Sequence, residues 1–276
     1  MVVMSITKHG MRPSRVLRKL REGGVVKSVK LNIPDPKMAD LASRCGFDAL
    51  WLCMEHGPAT VSQIEQMIMA AKMHDVDTVV RVRRGSYSDL HLPLEMDAAG
   101  IIVPHIMSAA EAKEIARLTR FYPVGMRPAD GGNADAAYSM MDFVEYCKTA
   151  NEQRFVHVQI EDVEAMDELD EIAQVKGIDG LFFGPGDFSQ SIGAPACWDD
   201  PRIHEARQAV ADAANRHGKV AATTVSLDKV EEYISMGYRY LHIGADVIGV
   251  GQYFEQLVTD FDEAAAKSDY CVSSGS

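Results

Sequence analysis

Three runs decide the fold: Asp48-Ala-Leu-Trp-Leu-Cys-Met54, Thr78-Val-Val-Arg-Val-Arg83 and Gly100-Ile-Ile-Val-Pro104. Each is nearly continuous in apolar residues, where a strand with one face in water would alternate apolar with polar. Strands covered on both faces belong to parallel sheets, whose neighbours are joined by crossovers long enough to hold a helix. Between the first two runs, Val61–His74 has the spacing of an amphipathic helix. Working outward, the same alternation predicts strands near Val25–Leu31, Phe155–Ile160, Gly180–Phe183, Val220–Thr223 and Tyr240–Ile243. Helices are predicted over Ala109–Thr119, Val163–Val175, Pro201–His217 and Leu227–Met236. Eight such strands closing on themselves give an α/β fold, the (β/α)8 TIM barrel, with its site at the C-terminal strand ends. An open doubly wound sheet fits the same periodicity, but no GxGxxG or GxxxxGK[ST] follows the first strand to suggest a nucleotide. No repeat or linker interrupts the 276 residues, so the chain reads as one domain over 1–276, with a core at about 14–262 and a polar tail at 266–276.

The net charge of −12 argues against a nucleic-acid partner, which would need a basic face. The densest basic stretch, Arg12–Arg21, has helical spacing and reads as a solvated first helix. The five cysteines, Cys45, Cys53, Cys147, Cys197 and Cys271, are scattered without a CxxC pair. They predict neither a zinc knuckle nor a disulfide framework, and free thiols fit a reducing cytoplasm. No apolar run reaches the length of a membrane span, and the opening MVVMSITKHG lacks a signal-peptide core.

In a barrel, the polar residues just past each strand converge on one rim. Strand two ends in Met54-Glu55-His56-Gly57-Pro58, and strand three carries Arg81. Strand five runs through Gln159 to Glu161, and strand six runs through Gly184-Pro185-Gly186 to Asp187. Two carboxylates suit a hard divalent cation, which takes one or two of them plus waters and substrate oxygens. A 2-oxo acid offers two such oxygens, and the cation acts as a Lewis acid on the enolate. The small residues Gly184, Pro185 and Gly186 let backbone N–H groups approach a substrate carboxylate. Arg81 can neutralise the developing charge, and His56 can move the proton. Plain structural alternatives stand beside these readings. Asp187 could cap the following helix, EHG could be a turn with a surface histidine, and Arg81 could pair with Glu95 or Asp97.

Over roughly residues 14–262 the chain resembles the HpcH/HpaI family of class II 2-oxo acid aldolases. The resemblance is carried by Gly46–Trp51 leading into Glu55-His56-Gly57, Val79–Val82, Gly100–Pro104, Gln159-Ile160-Glu161 and Gly184–Ser189. It implies that Glu161 and Asp187 ligate Mg²⁺, Mn²⁺ or Co²⁺, that His56 is the base acting through water, and that Arg81 stabilises the enolate. The backbone at Gly184 to Asp187 would hold the pyruvate carboxylate, with Gln159 beside it. It also implies dimers that exchange a C-terminal helix and group into hexamers. The chain departs from the family pattern at Cys53, where an aspartate usually supports the base. A second departure puts Glu95 at a family aspartate and Asp97 at a family glycine. The segment Gly125–Asp130 also differs from the usual arginine-glycine turn.

The expected reaction is reversible cleavage of a 4-hydroxy-2-oxo acid to pyruvate, or a related 2-oxo acid, and an aldehyde. Oxaloacetate-type decarboxylation, cleavage of a CoA-linked hydroxy acid, and a retired metabolite-binding barrel are the alternatives. A metal-free Schiff-base reading would need Lys27 or Lys30, whose spacing in strand one looks outward-facing.

Overall fold

The computed structural model describes residues 10–267; the opening MVVMSITKH, most of the polar tail and Cys271 lie outside them. Eight parallel strands pair in chain order and close into a barrel. They are β1 Val26–Leu31, β2 Ala49–Cys53, β3 Asp77–Arg81, β4 Gly100–Val103, β5 Phe155–Ile160, β6 Gly180–Phe183, β7 Val220–Val225 and β8 Tyr240–Ala245. The helices are α1 Arg15–Arg21, α2 Pro36–Arg44, α3 Val61–Lys72, α4 Tyr87–Glu95, α5 Ala109–Thr119, α6 Phe143–Gln153, α7 Leu169–Gln174, α8 Pro185–Ser191, α9 Pro201–Arg216, α10 Val230–Ser235 and α11 Asp246–Ala265. Side-chain caps start many of them. Thr60 and Gln63 form a capping box on α3, and Asp35, Ser108, Asp142 and Asp200 cap α2, α5, α6 and α9.

Alternate strand positions point inward, so Trp51, Val79, Ile102, Phe155, Phe182 and Tyr240 fill the barrel. The intervening positions, such as Leu50, Leu52 and Val80, pack against α2 and α3. Both faces of each strand are thereby buried, which is why the runs read as continuously apolar. Each large side chain buried this way contributes about 1.5–3 kcal/mol of transfer free energy.

Four expectations are corrected by the fold. The basic first helix is not a solvated face: Val16 is buried in the inner cluster, and α1 plugs the N-terminal end of the barrel. Its charges are drawn to two buried acids. Asp77 accepts from Ser14 Oγ at 2.6 Å, Val16 N at 2.9 Å and the Arg12 guanidinium. Asp48 pairs with Lys19 at 2.6 Å and Arg15 at 3.2 Å. The helix expected over Val163–Val175 is split into a 3₁₀ turn at Val163–Met166 and α7, because Glu168 leaves helical geometry and its carboxylate accepts from Ala109 N at 2.9 Å. Leu227–Met236 likewise begins as a 3₁₀ turn before α10. Finally, Lys30 faces into the barrel, its Nζ 5.1 Å from the centre of the Trp51 ring, while Lys27 is exposed. No helix among the described residues is long and apolar enough to cross a membrane.

Candidate metal and 2-oxo acid site

The strand-end carboxylates do converge. Glu161 follows β5, is fully buried, and accepts from His105 N at 2.9 Å and from the Gln159 amide. Asp187 lies in the first turn of α8, immediately past β6. It does not cap that helix: Gly184 holds the cap position, and Asp187 accepts from Gln190 Nε2 at 3.2 Å. Ligand atoms of His105, Glu161 and Asp187 all lie within 4.8 Å of one another. Two carboxylates and an imidazole at one spot form a donor set suited to a divalent cation with positions left for water or substrate.

Burial is the main force on Glu161. Removed from water and facing Asp187 and Glu55, its carboxyl is pushed up to about 7, although the His105 N–H and the His105 charge pull it down. A buried acid held this way gains from a cation. Gly184 is needed beside it, because a Cβ there would sit 2.5 Å from Glu161 Oε2 and 2.8 Å from Gln159 Nε2. The first-turn N–H groups of α8, at Gly186 and Asp187, have no helical acceptors behind them, and both residues line the cavity.

Arg81, on β3, lines the same cavity, 4% exposed, with its guanidinium carbon 4.9 Å from the centre of the Trp51 ring. Its Nε is 3.0 Å from Glu55 Oε2, and its Nη2 donates to Cys53 Sγ at 3.2 Å. Neither Glu95 nor Asp97 reaches it. Asp97 pairs with Arg154 and Lys72, and Glu95 lies buried on α4 beside His91 at 3.7 Å, away from this cavity. Burial raises the pKa of Glu95. His56 is half-exposed, and its Nε2 is 3.5 Å from Glu55 Oε2.

Lys30, Trp51, Arg81, Gln159, Glu161 and Asp187 share one cavity of about 790 Å³ with Gly184, Pro185 and Gly186. His105 and Glu55, which the sequence reading left without a role, contact residues that line it, and Lys30, which entered only as a Schiff-base candidate, lines it directly. His105 follows β4 with φ +53°, its Nδ1 2.9 Å from Asp162 Oδ2. Burial opposes its charge, but the Asp162 bond and the fields of Glu161 and Glu55 outweigh that and raise its pKa. The strand-end rule finds it, one residue past Pro104. Glu55 bridges Arg81, His56 and, at 3.7 Å, His105. Lys30 is recognisable only once strand parity is fixed; burial lowers its pKa despite nearby Cys53.

The family model described as HpcH/HpaI aldolase/citrate lyase matches residues 31–251. A hydroxypyruvate/pyruvate aldolase of Pseudomonas aeruginosa is 33% identical over 258 residues, 92% of each chain. A 2-keto-3-deoxy-L-rhamnonate aldolase of Shigella sonnei is 29% identical over 245 residues, covering 88% of this chain and 91% of that one. Among solved structures, an HpcH/HpaI aldolase from Desulfitobacterium hafniense superposes with a TM-score of 0.84 at 26% identity, covering 89% of this chain and 96% of that one.

Proposed function

This chain belongs to the HpcH/HpaI aldolase/citrate lyase family, and from that premise we propose that it reversibly cleaves a 4-hydroxy-2-oxo acid to pyruvate, or a related 2-oxo acid such as hydroxypyruvate, and an aldehyde. It is a carbon–carbon lyase of the class II pyruvate-aldolase type. The observation that carries the reading is the convergence of His105, Glu161 and Asp187 within 4.8 Å, the two carboxylates lining a cavity that Arg81 also lines.

Glu161 and Asp187 would hold Mg²⁺, Mn²⁺ or Co²⁺, with His105 in reach as a third donor. Such a cation, when bound, supplies Lewis-acid stabilisation of negative charge on the keto oxygen. The protein's own residues do the rest. Of the run Gly184 to Asp187, the backbone N–H groups of Gly186 and Asp187 receive the substrate carboxylate, beside Gln159, since Gly184 N donates to Ile160 O at 3.0 Å and Pro185 has no N–H. Arg81 faces the keto oxygen and offsets charge as the enolate develops. His56, acting through water, takes the proton from the C4 hydroxyl as the C3–C4 bond breaks; the aldehyde leaves, and a proton returns to C3. Glu55, in contact with both His56 and Arg81, orients the two, which the weakly accepting sulfur of Cys53 does less well. Trp51 and Phe182 wall the cavity and exclude water.

Exposed Val247, Ile248, Phe254, Leu257, Val258 and Phe261 on α11 support a homo-oligomer, read here as dimers grouped into a hexamer. Cys45, Cys53, Cys147 and Cys197 are free thiols, which supports a cytoplasmic place. We read the barrel as one domain.

The test is metal-stripped protein with pyruvate in D₂O, followed by proton NMR of the methyl signal with and without Mg²⁺ or Mn²⁺. Metal-dependent loss of the signal, abolished by Glu161→Ala and slowed by His56→Ala, is expected. No exchange above the protein-free rate sinks the reading. The inward Lys30 favours one competitor, a metal-free Schiff base. A borohydride-trapped pyruvate adduct that disappears in Lys30→Met would establish it instead.

A further inference from the structure

The site cavity runs outward from the barrel mouth between α9 and the segment after β7, where Arg207, His204, Ser226, Lys229 and Tyr233 line it. Arg207 is only 6% exposed. Its guanidinium carbon lies 4.8 Å from the centre of the Tyr233 ring and 5.7 Å from that of Phe183. Nη1 approaches His204 Nδ1 at 3.2 Å, and Nε is buried with no partner at all.

The other buried arginines make the contrast. Arg81 pairs with Glu55, Arg120 with Asp179, Arg127 with Asp135 and Arg154 with Asp97. Among the described residues no carboxylate reaches Arg207 within ion-pair distance. Glu232 on α10 pairs with Lys229 at 3.1 Å, and Asp199 lines the cavity without contacting the guanidinium. A guanidinium withdrawn from water without a counter-charge is strongly unfavourable, so a buried one that opens on a cavity implies an anion from outside. The ring contacts hold its planar fork in one orientation, which suits two-point binding of carboxylate or phosphate. A cavity of about 790 Å³ has room for far more than a three-carbon acid.

We propose that Arg207 is an anion-binding subsite that receives the acidic end, carboxylate or phosphate, of a substrate whose 2-oxo acid head lies at Glu161 and Asp187. The identity of the head rests on the aldolase reading; the subsite itself does not.

Titration calorimetry on the full chain, with succinate and with inorganic phosphate as probes, compares wild type, Arg207→Met and Arg207→Lys. Loss of charge-assisted hydrogen bonds weakens binding of at least one probe by about tenfold or more in Arg207→Met, with Arg207→Lys between the two. Arg207→Met also melts at the same or a higher temperature, because an unpaired buried charge has gone. Wild type that binds neither probe, or equal binding in wild type and Arg207→Met, overturns the proposal. So does a lowered melting temperature with binding unchanged, which would mark a structural arginine. If Arg207→Met does not fold, undiminished binding in Arg207→Lys has the same overturning force. Condensation of pyruvate with succinic semialdehyde against butanal, and with glyceraldehyde 3-phosphate against glyceraldehyde, then separates carboxylate from phosphate. The preference for the charged partner falls about tenfold in Arg207→Met, through KM. If pyruvate shows no exchange in D₂O, the aldolase reading falls and calorimetry alone decides the subsite.

Discussion

The two ends of the barrel treat buried charge in opposite ways. At the N-terminal end Asp77 and Asp48 are buried, and Arg12, Ser14, Arg15, Lys19 and backbone N–H groups answer them. At the C-terminal mouth Gln159 Oε1, Trp51 Nε1 and both ring nitrogens of His242 have no partner, and Glu161 sits among other acids. A polar group buried without a partner costs stability, so the mouth is tolerable only because the base and the packed interior offset it. The base is where the chain is held together, and the mouth is where it is left incomplete for a ligand.

Glu161→Ala separates the two most sharply. Loss of a ligand and of Lewis-acid assistance should lower metal-dependent pyruvate exchange by roughly 10³-fold or more. Stability in urea should hold or rise for the metal-free protein, since a poorly accommodated acid is gone. Lowered stability in Glu161→Ala would mean that the mouth is structural after all.

Asp77→Ala is the mirror image. Removing the acid from the base strands Arg12 and leaves Ser14 and Val16 N without their acceptor. Urea unfolding should show a loss of about 3–5 kcal/mol, with exchange per folded molecule unaltered well below the transition. A fall in turnover without a fall in stability would break the division of labour.

The ends should also respond oppositely to pH. Burial works against the Asp48 carboxylate, but the Lys19 bond and the Lys27 N–H outweigh it and hold its pKa below the ordinary 3.8. Its stabilising contribution is present above that value and is lost as pH falls below it. Glu161 runs the other way, raised from 4.5 to about 7 by burial. Its folded form holds the proton more tightly than its unfolded form. That contribution is full below about 4.5 and is lost as pH climbs through 7, an effect of roughly 3 kcal/mol at most. Metal-free protein should therefore lose melting temperature between pH 5 and pH 8 more steeply than Glu161→Gln. Mg²⁺ should oppose the loss and release a proton as it binds. Matching slopes for wild type and Glu161→Gln would show that the Glu161 carboxyl is not held in this way.

The fold was legible in the sequence because parallel strands buried on both faces leave an unmistakable apolar run, and strand ends then nominate Glu161, Asp187 and Arg81. Strand parity was harder. Lys30 looks exposed by spacing alone, and only the register with β2, where Lys30 pairs with Trp51, turns it inward. His105 was within reach of the same rule, two residues beyond β4. Arg207 was not, because a charge at helical spacing reads as a solvated face until the walls of Phe183 and Tyr233 are known. The basic first helix misled for the same reason: nothing local shows that Asp48 and Asp77, far along the chain, await its charges.

Cys53 supplies the finest discrimination between the two ends, because it is a buried group at the mouth whose thiol also packs as a small apolar side chain. Its Sγ accepts from Arg81 Nη2 at 3.2 Å and lies 3.5 Å from His56 N. A thiol is a weak acceptor, and Glu55 already gives Arg81 an ion pair at 3.0 Å and touches His56. Cys53→Ala should therefore slow exchange only about two- to fivefold, the worth of one weak hydrogen bond. Glu55→Gln should cost more, since it removes the charge that orients both Arg81 and His56. If the order is reversed, the thiol rather than Glu55 is the partner on which the site depends. Cys53→Asp would then sharpen the point: a carboxylate at this position should restore in Glu55→Gln part of the rate that Cys53→Ala cannot.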